Sequence, residues 1–261
     1  MSNEDLAQRL WHARQTGQVI DAASVTTPAT VADAYAVHWR IAALSGHKVV
    51  GFKIGSTSLE AQRMLGTDEP GSAPLLAPYV HASPATIPVV MSQVPCVEGE
   101  FAFRLGRDLP ARDAAYTREE IAAAVDAVAG AIEVVGTRFA GGLAGKGRLL
   151  TTADGGVNIA LVTGTWMTGW RSLDLPSHRV AMRIGGELKG EGPGSRALGD
   201  PMTVLEWLVN QQSRTGRGMK TGEIASTGTC TGLDPVAPGE RAVADFGALG
   251  SVEIAFVSFK S

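Results

Sequence analysis

The chain has 261 residues, room for one large domain, and its 44% hydrophobic and 19% charged content is that of an ordinary globular protein with a sizeable core. Its formal charge is −3, from 23 basic and 26 acidic residues. The lysines and arginines are scattered rather than gathered in a stripe, which excludes nucleic acid as a partner, and no apolar run is long enough to span a bilayer.

The polar, acidic start Ser2-Asn3-Glu4-Asp5 has no basic region followed by an apolar run, so no secretory signal is expected. Cys96 and Cys230 show no metal-ligand spacing, and the expectation is a cytoplasmic protein with two free thiols. The first fifty residues read as helical. Thr30 caps a segment in which Val31, Ala34, Tyr35, His38, Ile41 and Ala42 form one stripe, and Gly46 ends it. Val49 to Ile54 reads as a short strand with one charge, Lys53. Such a lysine usually snorkels to water. Alternatively, Gly51 and Gly55 let a ligand approach the backbone closely, and a desolvated lysine binds an anion or moves a proton; this reading is slightly favoured. Gly66 to Pro88, rich in Pro and Gly, is expected to be a long ordered loop.

In Cys96-Val97-Glu98-Gly99-Glu100-Phe101-Ala102-Phe103 the apolar residues alternate with the acids, so Glu98 and Glu100 share one face of a strand. Two carboxylates one pleat apart repel unless a cation or a proton lies between them. Thr117-Arg118-Glu119-Glu120 is a capping box, expected to open a helix with Ile121, Val125, Val128 and Ala129 inward and to be ended by Gly130. A second apolar strand then carries Glu133. Three glutamates are hard oxygen ligands that suit Mg2+ or Mn2+ with water positions left open. The bland alternative is a solvated acidic strand face; the lack of a lysine beside the pair and the apolar setting of Glu133 favour the metal.

Phe139 to Gly147, with four glycines, is expected to be a mobile loop. Asp154, before Gly155-Gly156, reads either as an Asx turn or as a group beneath a lid. Ile159–Thr163 and Val180–Ile184 read as strands, the latter closed by a Gly185-Gly186 hairpin turn. Asp200-Pro201 opens a helix to about Gly216. The hydroxyls of Thr221 to Gly228 either satisfy backbone groups, the favoured reading, or bind a small carboxylate. Val252, Ile254, Phe256 and Phe259 belong to a terminal strand. The fold class is α+β: an N-terminal helical lobe over residues 1–70 and a β-rich, mixed, mostly antiparallel core over 71–261 with flanking helices, as one continuous domain. Five histidines without mutual pattern, no Gly-x-Ser-x-Gly elbow, and glycine runs outside any strand–turn–helix context exclude zinc hydrolysis, serine hydrolysis and a nucleotide cofactor.

Taken in order, Asp33-Ala34-Tyr35-Ala36, Gly51-Phe52-Lys53-Ile54-Gly55, Gln62-Arg63-Met64-Leu65-Gly66, Val97 to Phe103, Gly106-Arg107-Asp108-Leu109-Pro110, Glu133 to Arg138, Leu198-Gly199-Asp200-Pro201 and Lys220 to Ile224 resemble the 2-keto-4-pentenoate hydratase family, which includes the 4-oxalocrotonate decarboxylases. The resemblance covers nearly the whole chain and places it in the fumarylacetoacetate hydrolase superfamily. It implies a fumarylacetoacetase C-terminal-like β roll with helices outside, Mg2+ or Mn2+ on Glu98, Glu100 and Glu133, a functional lysine near that metal at Lys53 and a functional aspartate at Asp154. It further implies hydration of a 2-hydroxy-2,4-dienoate, or decarboxylation of a vinylogous 2-oxo diacid, in a homo-oligomer, and leaves room for a non-catalytic subunit paired with a hydratase or decarboxylase partner. The Asn-Asp-Val-Ser-Ala-Arg-Asp-like stretch of the hydrolase branch is missing. The polar stretch that follows the family's aspartate is replaced by Gly155-Gly156-Val157, losing an amide and a hydroxyl, and the loop before it is Gly-rich where relatives often carry a tryptophan.

Overall fold

A computed structural model describes residues 2–260. The helices are α1 (Asn3–Thr16), α2 (Val31–Ser45), α3 (Leu59–Leu65), α4 (Arg118–Ala124), α5 (Gly147–Ala153) and α6 (Pro201–Arg214). The strands are β1 (Val49–Gly55), β2 (Gly71–Leu76), β3 (Val80–Ala82), β4 (Ala85–Val89), β5 (Cys96–Leu105), β6 (Val125–Val135), β7 (Asn158–Thr163), β8 (Arg179–Ile184), β9 (Glu187–Pro193), β10 (Ile224–Thr229), β11 (Asp234–Pro235), β12 (Arg241–Asp245) and β13 (Ser251–Ser258). One sheet runs β2-β1-β10-β5-β6-β7-β3 with β11 on β5, and a second runs β4-β13-β12-β8-β9. Among these strands, β1/β10, β3/β7 and β4/β13 pair in parallel and the other pairs are antiparallel. The two sheets close on one apolar core that includes Phe101, Phe103, Phe246 and Phe256. Each such ring contributes about 2–3 kcal/mol by leaving water.

α1 and α2 start at capping boxes, Ser2 with Asp5 and Thr30 with Asp33, and stop at Gly17 and Gly46 in the left-handed conformation. Their inner residues Leu6, Leu10, Ala34 and Val37 pack with Phe139, Leu150 and Ala153, so the N-terminal helices share a core with α5 and the chain that leads to it. β1 falls before residue 70, yet it lies inside the larger sheet between β2 and β10.

Two stretches differ from the sequence expectation. The helix opened by Thr117 ends at Ala124, and Val125, Val128 and Ala129 belong to β6. Helix propensity of the alanines loses to pairing: β5 runs ten residues, and Phe103↔Val128, Ala102↔Ala129 and Phe101↔Gly130 match it along its length. Gly130 ends no helix; a Cβ there would meet the Phe246 ring at 2.3 Å, so its bare backbone lets that ring cross the sheet. Gly66 to Pro88 is not a loop but contains β2, β3 and most of β4. All three lie at sheet edges, where Pro74 and Pro88 cost no ladder hydrogen bond, and the prolines hide the alternation.

His38 is buried in α2, with Nδ1 3.3 Å from the Thr152 carbonyl, and burial pushes its pKa down to about 4. The folded pKa lies below the ordinary value of 6.5, so the folded chain takes up the proton later than the unfolded one, and stability falls as pH drops from about 6.5 to 4. His38→Phe should flatten this limb, its thermal midpoint losing less than that of the wild type between pH 6.5 and 4.5. Parallel curves for the two proteins would remove His38 as a cause.

Candidate metal centre

β5 and β6 are antiparallel neighbours in which Glu98 lies opposite Glu133, with Glu100 one pleat further on the same face. One oxygen from each of the three lies within 4.8 Å of the others. Glu100 and Glu133 are wholly buried, and Glu98 is half-buried. One oxygen of each buried carboxylate is anchored. Glu100 Oε2 accepts from Ser226 Oγ and from the Gly228 amide at 3.0 Å, and Glu133 Oε1 accepts from Asn158 Nδ2 at 2.8 Å. Of the other two oxygens, Glu133 Oε2 faces Lys53 Nζ at 3.1 Å, and Glu100 Oε1 is buried with no partner at all. A buried carboxylate oxygen left in that state is costly.

Lys53 is the counter-charge that the local sequence did not show. It projects from β1, and its Nζ forms an ion pair with Glu133 Oε2 at 3.1 Å and donates to the Gly156 carbonyl at 3.2 Å. It does not snorkel: it is 4% exposed. Burial opposes its charge, but Glu133, Glu98 and Glu100 outweigh that and raise its pKa above the ordinary lysine value. The ammonium form is therefore held. Gly51 beside it serves the sheet and not a ligand, because a Cβ there would lie 2.0 Å from the Ile224 carbonyl oxygen.

Asp154 sits at the C-terminus of α5, 1% exposed, and its carboxylate is taken up by its own side of the site. It accepts from Arg138 Nε at 2.5 Å, from the Arg138 amide at 2.9 Å and from Thr137 Oγ1 at 2.9 Å. Gly155, Gly156 and Val157 follow as a left-handed turn, with φ of +63°, +62° and +60°. For the β-branched Val157 this conformation costs about 1–2 kcal/mol. A Cβ on Gly156 would press on Lys53 Cδ at 3.0 Å and Ala73 Cβ at 3.2 Å, so the glycine leaves room for the lysine stem.

The structure thus brings Lys53, Glu98, Glu100 and Glu133 together and sets Asp154 behind them. Sequence reading missed Ser226, Asn158 and Arg138. Ser226 lay in the Thr221–Gly228 stretch whose hydroxyls were expected to serve the backbone. Thr227 does so, donating to the Phe101 carbonyl at 3.0 Å, but the strand alternation that puts it on one face puts Ser226 on the other. A cavity of about 590 Å3 lies against the opposite face of β1, lined by Trp39, Phe52 and Arg217 among others, and none of the three carboxylates reaches it.

Three hard oxygen donors, two of them half-coordinated in advance, fit Mg2+ or Mn2+. A mixed β roll with helices outside and a carboxylate triad on two paired strands defines a class of hard-cation enzymes. The chain belongs to the fumarylacetoacetate (FAA) hydrolase C-terminal family, whose profile matches residues 59–257. It is 35% identical over 260 residues to a 2-keto-4-pentenoate hydratase of Paraburkholderia xenovorans (strain LB400), covering 98% of this chain and 95% of the relative. It is 32% identical over 260 residues to a 2-hydroxyhexa-2,4-dienoate hydratase of Comamonas testosteroni, covering 97% of each. Its fold superposes on 4-oxalocrotonate decarboxylase from Pseudomonas putida G7, complexed with magnesium and adipate, with a TM-score of 0.88 and 26% identity over 98% of this chain and 97% of that one.

Burial, and then the charge of Glu133, raise Glu98, which Lys53 pulls back only to about 7. Burial and the two neighbouring carboxylates hold Glu100 well above its ordinary value. Below pH 7 a cation must displace protons, so Mn2+ affinity should rise with pH through about 7, and binding should release protons more strongly at pH 6 than at pH 8. Titration calorimetry in buffers of different ionisation enthalpy measures this; pH-independent affinity would mean that the carboxyls are already ionised.

Proposed function

We propose that the chain is a divalent-metal-dependent hydratase. It adds water to a 2-hydroxy-2,4-dienoate, through its 2-oxo-3-enoate tautomer, to give a 4-hydroxy-2-oxo acid in meta-cleavage-type catabolism of aromatic compounds. The observation that carries this reading is the buried three-glutamate cluster, with Glu100 Oε1 unpartnered and Glu133 Oε2 facing a charged Lys53, in a lyase akin to hydratases along its full length. No helix among the described residues is long and apolar enough to cross a membrane, in keeping with a cytoplasmic catabolic enzyme. The family resemblance supports a homo-oligomer.

Glu98, Glu100 and Glu133 would hold Mg2+ or Mn2+, which when bound supplies Lewis-acid polarisation of the substrate's C1 carboxylate and C2 oxygen. The chain's own groups do the rest. Lys53, kept protonated, balances negative charge on the substrate and hands a proton to C5 during tautomerisation while the C2 hydroxyl gives up its own, which restores the ammonium. Water then adds at C4 of the 2-oxo-3-enoate, its proton going to C3. Asp154 acts at one remove: committed to Arg138, it fixes the backbone beside Asn158 and so the carboxylate of Glu133.

Decarboxylation of a 2-oxo diacid is the rival reaction, and it asks for a cation for the second carboxylate. Arg138, buried behind the cluster, and Arg14, half-buried there, are engaged with Asp154 and with backbone carbonyls, which favours hydration. A proton NMR time course in D2O, with Mg2+ or chelator, offering 2-hydroxypenta-2,4-dienoate and 4-oxalocrotonate, separates the two. Metal-dependent 4-hydroxy-2-oxo acid is the expected product, and loss of the oxalocrotonate carboxyl without hydration would replace the hydratase by the decarboxylase. Silence with both compounds in a Mn2+-binding protein would overturn the substrate assignment, and a protein without metal binding would be the non-catalytic subunit. Glu100→Gln and Glu133→Gln should each lower metal-dependent turnover on the order of 100-fold or more with the fold intact. Full activity in either would remove the metal model.

A further inference from the structure

Arg14 leaves the last turn of α1 and enters the body of the protein, and the reaction above gives it no part. Its guanidinium carbon lies 3.8 Å from the centre of the Tyr79 ring. Nη1 donates to the Asn158 carbonyl at 2.6 Å and Nη2 to the Ile159 carbonyl at 2.8 Å, a fork across two successive peptides at the start of β7. The Asn158 carbonyl also accepts from Arg138 Nη1 at 2.9 Å. Two arginines therefore pin the backbone of the one residue whose side-chain amide holds Glu133 Oε1. The arrangement is costly, since burial and the neighbouring Arg138 charge both work against the Arg14 guanidinium.

We propose that Arg14 is a positioning residue for the metal centre: by clamping Asn158 it fixes the orientation of Glu133 that turns Oε2 toward Lys53 and the carboxylate cluster. This inference rests on the metal reading above. It makes α1 part of the centre, although α1 lies outside residues 59–257, where the family profile matches. The fork also explains the choice of residue. Lysine carries the same charge but, as a point donor, cannot bridge two adjacent carbonyls in fixed geometry.

The test is Mn2+ titration of the full chain followed by electron paramagnetic resonance, with thermal unfolding measured alongside. The proteins are wild type, Arg14→Gln, Arg14→Lys, Asn158→Ala and the two Arg14 changes combined with Asn158→Ala. Arg14→Gln and Arg14→Lys should each weaken Mn2+ binding by about tenfold, the size of effect seen when the support of a metal ligand is lost. In the Asn158→Ala background the same changes should cost less than about twofold, because the route to Glu133 is already cut. A merely structural arginine would lower the unfolding midpoint equally in both backgrounds without this coupling. Unchanged affinity in both Arg14 variants, or equal losses with and without Asn158, would overturn the inference while leaving the metal reading standing. A wild-type chain that binds no Mn2+ would overturn the metal reading and this inference together. Should Arg14→Gln fail to fold, Arg14→Lys carries the same comparison.

Discussion

The constraint on which the site depends is charge: three carboxylates share a space that water scarcely enters, with one lysine among them. With all four groups ionised the sum is three negative charges against one positive, a surplus of two. Protons or a cation must answer it. Burial lifts Glu98 to about 7 and Glu100 well above its usual range, so the proton answer is at hand near neutrality. A divalent cation held by Glu98, Glu100 and Glu133 would answer it in one step. The same excess keeps Lys53 protonated, so the lysine can donate a proton but is a poor base.

Around that cluster lies a shell of donors that fixes one oxygen of each buried carboxylate and leaves the other. Ser226 and Gly228 do this for Glu100, and Asn158 does it for Glu133. Behind Asn158, Arg138 is bound to Asp154, and behind those stand Leu150 and Ala153 of α5, packed on α1 and α2. Asp154, a functional aspartate by the family resemblance, thus stands behind Arg138 and Asn158, two residues removed from Glu133.

What was legible in the sequence followed from local rules. The alternation of Val97, Phe101 and Phe103 with Glu98 and Glu100 gave the strand and its acidic face, and Thr30 and the Thr117–Glu120 box gave the starts of α2 and α4. What was hidden is non-local. β6 is covered on both faces, so its composition carries no period of two, and its alanines imitate a helix. The meeting of Lys53 with Glu133 is hidden from local spacing for another reason; only the family resemblance implied a lysine near the metal. β1 and β6 stand three places apart in the sheet, about 14 Å if it were flat, and their side chains touch only because the sheet curls inward.

The left-handed turn at Gly155-Gly156-Val157 has a bearing on transplanting such a site. The lysine stem lies where residue 156 lacks a side chain, and its ammonium is held by that residue's own carbonyl. Four charged residues copied onto another β roll would not reproduce the centre, because the lysine's place is written as a missing methyl on a different segment of chain. A designer would have to carry the turn, including a valine bent against its preference, together with the ligands it serves.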